Sequence, residues 1–323
     1  MSNTIKNRYE ILFLYDIKDG NPNGDPNDEN KPRIDEETSQ NLVTDVRLKR
    51  TIRDYLHQQG NDIFVQEKTH GTEGHIQDAK LRANDYAQDL DLSKVSIGEA
   101  QGAIAKNILS SCIDVRLFGA TIPLEIKLKS KSQKGSITYT GPVQFKMGRS
   151  LHKVKINFIK GTGAFASKQN STQKTFREEY MLPYSLIAFH GIINENAAKH
   201  TLLSDNDVLS LKKALWSGTK ELISRSKFGQ MPRLLLLIKY KKANFFMGDL
   251  DHLIKLKSEL RDEELRSPVQ YKIDLSLLLN KIEKNKEHIE AVEFAHCDQM
   301  SFCDAEKDLE LAQIDKFKNI DVV

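Results

Sequence analysis

Cysteine is scarce: the 323-residue chain carries three, Cys112, Cys297 and Cys303, an odd number and too few for a disulfide framework. Tryptophan occurs once, and the longest aliphatic run is Leu234 to Ile238, closed by Arg233 and Lys239. A membrane-spanning helix needs about 18 or more apolar residues, so no membrane insertion is expected. The start, Met-Ser-Asn-Thr, lacks the cationic and apolar regions of a secretory signal, and the chain reads as cytoplasmic. No Walker sequence, Gly-x-Ser-x-Gly elbow or dinucleotide fingerprint is present, which removes the enzyme classes built on them. An excess of one charge is missing as well: 48 Lys and Arg stand against 45 Asp and Glu, a net +3. As a sum, that argues against a strongly basic nucleic-acid binder. Apolar residues, at 39%, suffice for a packed core.

The sum conceals a distribution. Between residues 101 and 182 only Asp114, Glu125, Glu178 and Glu179 are acidic, and Lys and Arg outnumber them at least threefold. Residues 201–245 carry nine basic side chains against Asp205, Asp207 and Glu221, whereas 283–323 carry 11 acidic against five basic. A basic middle lies between an acidic start and an acidic tail. Phosphate affinity depends on the local field and not on the total, so a nucleic-acid partner stays open.

Arg8 to Ile17, aromatic and aliphatic and leading into Asn-Pro-Asn-Gly, predicts a first strand. Asn41 to Leu56 switches to helical spacing, with Leu42, Val46, Ile52 and Leu56 on one face and Arg47, Arg50 and Asp54 on another. Residues 60–112, punctuated by five glycines, give no clear elements. Strand alternation returns from Gly135 to Val154, and the polar, basic stretch 155–182 reads as a long excursion from the core. Tyr184 to Ile193 predicts a strand, Ser204 with Asp207 caps a helix carrying Val208, Leu211, Leu215 and Leu222, and Pro232 to Tyr240 predicts another strand. This order points to an α+β, ferredoxin-like fold: an antiparallel sheet with helices on one face and the other face available. Residues 249–323 are expected to add charged helices around one strand, Ile289 to Ala295.

The most unusual segment, Asp19 to Asn30, imitates a calcium-binding loop, with oxygen-bearing side chains at alternate positions and Gly24 at the sixth. The imitation fails at Asn30, where a bidentate Glu is required, at Pro22 and Pro26, and in the strand that replaces the preceding helix. A tight turn of Asn, Gly and Pro accounts for the composition. Together with the residues downstream of it, the segment becomes more specific. Asn30-Lys31-Pro32-Arg33-Ile34-Asp35 is succeeded by Asn41-Leu42-Val43-Thr44-Asp45-Val46-Arg47-Leu48-Lys49-Arg50-Thr51-Ile52-Arg53. Then come Asp114-Val115-Arg116-Leu117-Phe118-Gly119, Gly141-Pro142-Val143-Gln144-Phe145, Arg149-Ser150, and Leu182-Pro183-Tyr184 leading into Phe189-His190-Gly191. In this order the blocks resemble the backbone subunit of type I CRISPR effector complexes (Cascade), most closely the type I-B form, within the RAMP superfamily of RNA-binding proteins.

The resemblance implies an RRM-like palm (8–60, 113–154 and 183–245), a finger insertion (61–112), a thumb hairpin (155–182) and a C-terminal helical extension (246–323). It further implies a non-catalytic scaffold without a cofactor, whose copies stack along the spacer of a CRISPR RNA beside other effector subunits. Each thumb would displace a nucleotide at regular intervals, presenting the guide to target DNA. Such a protein reads backbone and shape while base pairing reads sequence.

That role needs phosphate-binding cations and a few wedges. Arg47, Lys49, Arg50 and Arg53 share the first helix, where guanidinium groups can fork onto phosphate oxygens, although Asp54 could pair the same face. Asn21 and Asn23 belong to the Asn/Pro loop, and Lys31 and Arg33 flank Pro32 as a clamp. Lys146 and Arg149 stand at the root of the thumb, which Lys153, Lys155, Lys160, Lys168, Lys174 and Arg177 would line, with Phe165 as its wedge. Arg225, Lys227, Phe228 and Arg233 connect the second helix to the last core strand, a set suited to backbone contact and base stacking. The alternative is a metal-dependent ribonuclease drawing on Asp25, Asp28, Glu29, Asp35 and Asp45, since type III relatives cut target RNA with an acidic loop residue. His70 with His75, and His296-Cys297 with Cys303, lack the paired spacing of a zinc site.

Overall fold

Ile11, Phe13, Tyr15 and Ile17 of strand β1 (Arg8–Gly20) face one side of a sheet and Leu12 and Leu14 the other, and all are buried. A strand apolar on both faces belongs in the middle of a layer. The structure, a computed structural model, describes residues 4–70, 74–87, 96–128, 131–166 and 174–322, the side chains of 126–133 and 162–177 excepted. After β1 the Asn/Pro loop closes on itself by pairing Gly24–Asp25 with Lys31–Pro32, and two short strands of the large sheet follow, β2 (Ile34–Asp35) and β3 (Gln40–Val43). Thr44 then caps α1 (Asp45–Gln58), its hydroxyl accepting from the backbone N–H of Arg47. The helix therefore starts later than its apolar spacing predicts: residues up to Val43 extend to pair with a later strand, and the buried stripe is Leu48, Thr51, Ile52 and Leu56. Val46, expected on that stripe, is 68% exposed.

Helices α2 (Ile97–Ser111) and α3 (Ile113–Phe118) lead into a hairpin of β4 (Gly119–Leu128) and β5 (Lys131–Thr140). Next come β6 (Val143–Phe145), β7 (Gly148–Lys153), β8 (Asn157–Ala166) and β9 (Lys174–Ile193). α4 (Asp205–Lys220) begins in the expected Ser204/Asp207 capping box and precedes β10 (Met231–Tyr240). The remainder contributes β11 (Lys255–Lys257), β12 (Lys272–Asp274), α5 (Ser276–Lys284), β13 (Ile289–His296), β14 (Ser301–Asp304), β15 (Lys307–Leu309) and β16 (Phe317–Asn319).

The large sheet runs β16–β13–β10–β1–β9–β7–β3–β2, with β6 and β8 also paired to β9. Every neighbouring pair is antiparallel except β13 and β16. At its centre the chain order β1, α1, β7, β9, α4, β10 produces the spatial order β10–β1–β9–β7. Both helices pack on the Ile11/Phe13 face through Leu48, Ile52, Leu56, Val208, Leu211 and Leu215. Each such fully buried aliphatic side chain contributes about 2 kcal/mol of apolar burial. A Cβ on Gly218 of α4 would come within 2.8 Å of the Tyr55 Cβ on α1, so glycine sets this close approach.

Three expectations are corrected. The opposite face of the sheet is covered: Leu12, Leu14, Leu234, Leu236, Ile238 and Phe294 pack against Leu250, Ile254, Ile273 and Leu278. The uninterrupted run Leu234–Ile238 is the mark of such two-sided burial, which one-faced alternation would not give. Secondly, the charged helices expected beyond 249 reduce to α5, and most of that segment builds a second sheet, β11–β12–β14–β15, together with β13 and β16 of the large one. Strands of three or four residues are too short for their period to show in a polar sequence. Thirdly, the β4–β5 hairpin pairs only with itself and shares a separate core with the preceding insertion, including Phe64, Ile104, Ile108, Val115, Ile122 and Leu124. Strands β4 and β5 thus sit with the insertion and not with the central sheet. Among the described residues no helix is long and apolar enough to cross a membrane.

Candidate nucleic-acid interface

At the end of β1 the backbone turns through Asp19, whose φ is 50°, into the Asn/Pro loop. A Cβ on Gly20 would approach Ser226 O to 2.8 Å, so the loop lies directly against the turn that precedes β10. Asn21 fixes this contact: its backbone N–H donates to Ser226 O at 2.7 Å and its side-chain amide to Asn30 O at 2.6 Å. Asn23 ties the loop to α1, its Oδ1 accepting from both the N–H (2.9 Å) and the hydroxyl (3.0 Å) of the capping Thr44. Loop, helix start and the 224–230 turn thereby form one corner of the molecule, and both asparagines act as its fasteners.

The cations singled out in the sequence divide into three groups. Most are neutralised by carboxylates: Lys31 by Asp28 (2.7 Å) and Glu29 (3.5 Å), Arg33 by Asp25 (2.7 Å), Lys49 by Asp45 (3.0 Å), Arg50 by Asp54 (2.7 Å) and Arg149 by Asp35 (2.6 Å). Lys146 meets Asp249 at 2.6 Å, Lys160 meets Glu178 at 3.2 Å, and Arg225 pairs with Glu179. Two are structural and largely buried. Arg53 donates to the fully buried Asp114 at 3.0 Å, whose carboxylate also accepts from Phe64 and Val65 N–H and so clamps the insertion to α1. Arg233 meets the buried Asp16 at 2.8 Å.

Arg47 and Lys227 differ: among the described residues neither makes an ion pair, although both are more than half buried. Burial lowers the Arg47 pKa from its ordinary value, and burial, then the positive charge of Arg47, lowers that of Lys227. Arg47 thus depresses Lys227, while Asp54 acts on Arg47 only from a distance, its own ion pair being with Arg50. Buried polar atoms without a partner among the described residues gather on the same segments: Asn21 Oδ1, Arg33 Nε, Arg47 Nε and Gln230 Nε2. Three of these are donors and one an acceptor, a set that matches phosphate oxygens and a ribose hydroxyl. Phe228, beside Lys227, leaves 67% of its surface exposed.

Sequence reasoning missed Gln230, which has no signal beyond its place after Gly229, and Tyr180, whose ring carries Lys31 Nζ at 5.0 Å and lies 5.1 Å from that of Phe158. The thumb candidates are only partly described: Lys153 and Lys155 are exposed, Lys168 lies outside the described residues, and so do the side chains of Phe165, Lys174 and Arg177. The acidic residues considered for a metal-dependent nuclease are dispersed over separate ion pairs: Asp25, Asp28, Asp35 and Asp45 each hold a cation, and Glu29 accepts from the Tyr180 hydroxyl at 2.8 Å.

The family model of CRISPR-associated protein Cas7 matches residues 7–276. A CRISPR-associated protein Cas7 of Haloferax volcanii is 34% identical over 304 residues, covering 90% of this chain and 86% of its own. Among solved structures, a chain of a CRISPR RNA-guided surveillance complex in a pre-nicking state superposes with a TM-score of 0.51 at 13% identity, covering 90% of this chain and 92% of its own. A chain of another CRISPR RNA-guided surveillance complex gives 0.51 at 12% identity, with 90% and 89% covered. At such identities the likeness is one of fold.

Proposed function

The chain belongs to the CRISPR-associated protein Cas7 family, and from that membership we propose that it is a non-catalytic scaffold of a type I-B surveillance complex. It binds CRISPR RNA, stacks with copies of itself along the guide in the cytoplasm, and presents the guide to target DNA beside other effector subunits. The observation that carries the RNA interface is the Arg47–Lys227 pair: half-buried cations with no ion-paired carboxylate among the described residues, bordered by orphaned polar atoms, form a seat for a backbone phosphate. Asn21 Oδ1 would take a ribose hydroxyl, and Phe228 would stack on a base.

The order β10–β1–β9–β7 with both helices on one side supports an RRM-like palm. The insertion with its separate core supports a finger, enlarged by the 119–140 hairpin, and the paired β8 and outer β9 support a thumb. Because the sheet face opposite the helices is covered, RNA would run along the loop 19–33, the start of α1 and the 224–230 turn. The ribonuclease reading draws no support from its carboxylates, which serve as counter-ions.

The test is purification of the full chain at low salt. The scaffold should carry RNA of one discrete length, and labelled RNA complementary to it should stay uncut in magnesium. Protein free of RNA would overturn the reading, and magnesium-dependent cutting would replace it with the nuclease.

A further inference from the structure

We propose that His190, Asp249 and Asp251 form a binding site for one divalent first-row transition-metal ion of the zinc, cobalt or manganese class. The inference is independent of RNA binding and uses none of the residues of the phosphate seat.

His190 lies on β9 and is only 6% exposed. Its Nε2 is 2.8 Å from an oxygen of Glu10 on β1, itself fully buried. That carboxylate also accepts from the Tyr240 hydroxyl, Met247 N–H (2.8 Å) and Gly248 N–H (2.9 Å). With three other donors on this carboxylate, Glu10 serves as acceptor to the ring, which places the ring proton on Nε2 and leaves the Nδ1 lone pair pointing away from it.

Nδ1 is enclosed and has no hydrogen-bond partner among the described residues, and Asp251 Oδ1, 3.6 Å away, is likewise enclosed without one. Two acceptors facing each other in a water-poor site repel unless a positive centre stands between them. Asp249 supplies a third ligand atom, and the three lie within 4.8 Å of one another. Ligands about 2.1 Å from a tetrahedral metal are about 3.4 Å apart, so small rotations of the two aspartates close the set. A carboxylate behind a histidine ligand is the usual outer support of such a site, fixing ring and tautomer. One nitrogen with two carboxylates suits zinc, cobalt or manganese, whereas magnesium favours oxygen and water.

The Lys146 ammonium now supplies the counter-charge, 2.6 Å from Asp249 and 3.7 Å from Asp251. Its side chain is 47% exposed on a flexible stem, so it can withdraw into solvent when a metal arrives. Lysine and metal therefore compete for the same two carboxylates.

The experiment uses the full chain stripped with EDTA, titrated with ZnCl2 by equilibrium dialysis and with CoCl2 by visible absorption, with the melting temperature monitored in parallel. One equivalent should bind and raise the melting temperature. Asp251→Asn should remove that equivalent, and Lys146→Ala should tighten it about tenfold or more by removing a cation about 4 Å from the metal. Glu10→Gln should weaken it by about 10–100-fold. If His190→Ala fails to fold, Asp251→Asn and Lys146→Ala decide the matter. Absence of a bound equivalent in both the wild type and Lys146→Ala overturns the proposal. So does an equivalent that survives Asp251→Asn, which would belong elsewhere, for example at His70 and His75.

Discussion

Replacing Arg47 by Met keeps the aliphatic stem and removes one unpaired, half-buried charge, so affinity and stability should move independently. A charge-assisted hydrogen bond to phosphate contributes about 1.5–3 kcal/mol, which corresponds to about a 10–150-fold loss of RNA affinity. The slope of log affinity against log salt should fall by about 0.7, the value for one contact on a single strand. In the RNA-free protein the substitution loses the 3.0 Å bond to the Thr51 hydroxyl, about 1 kcal/mol, and gains relief from desolvation and from repulsion by Lys227. The two nearly offset. With an unfolding entropy of about 0.7 kcal/mol/K for 323 residues, the melting temperature should stay within about 2 °C of wild type. Arg53→Met on the same helix is the contrast: it strands the fully buried Asp114 carboxylate, at a cost of about 3–5 kcal/mol or about 4–7 °C. Fluorescence anisotropy at several salt concentrations, with calorimetry of the RNA-free proteins, reads both quantities. If Arg47→Met melts as low as Arg53→Met while binding RNA like the wild type, Arg47 is a structural residue and the phosphate seat is wrong.

Lys227 has a lowered pKa, so between its folded value and 10.5 the unfolded chain holds more protons, and this group's contribution to stability rises with pH. Phosphate favours the charged form, so RNA affinity should fall as pH rises through that window, and Lys227→Met should flatten the dependence; equal slopes would dismiss it. Glu10, whose pKa is depressed, contributes stability that is complete above 4.5 and lost as pH falls through its folded value. Acid unfolding of Glu10→Gln, measured by circular dichroism, should therefore depend less on pH in that range than that of the wild type. Phe228→Ala should leave the melting temperature unchanged and weaken RNA binding by about 1–3 kcal/mol if one base stacks there, with unchanged affinity removing it from the interface.

Strands β1 and β10 were legible because their apolar residues crowd within ten positions, and α4 because Ser204 and Asp207 make a cap visible before the helix begins. The start of α1 was misread because Leu42 and Val46 fit a helical period, whereas Thr44 supplies a cap and Asn41 an extended pairing that outweigh periodicity. The covering of the second sheet face was announced by Leu234–Ile238, yet its cover consists of turns and of strands of three or four residues, such as Lys255–Lys257 and Ser301–Asp304, with one or two apolar side chains each. Their burial exists only after the sheet has formed, so no local pattern could reveal it.

The candidate site rests on residue types the sequence shows, whereas their charge state is not legible there. Arg149 finds Asp35 across 114 positions, Lys146 finds Asp249 across 103, and Arg53 finds Asp114 across 61, so neutralisation is a tertiary fact invisible to local counting. Once those pairs are made, the net +3 no longer measures anything a phosphate would feel, since paired cations present dipoles of short reach. Among the described residues Arg47 and Lys227 remain because no acid forms an ion pair with either, Asp54 near Arg47 being held by Arg50. Keeping two adjacent, half-buried cations lowers the stability of the RNA-free chain, and a carboxylate beside either would remove that cost at once. An arrangement that forgoes so simple a correction is what the proposed phosphate seat requires, and it predicts that Arg47→Met and Lys227→Met together weaken RNA binding more than either alone, as titration of the double variant would show.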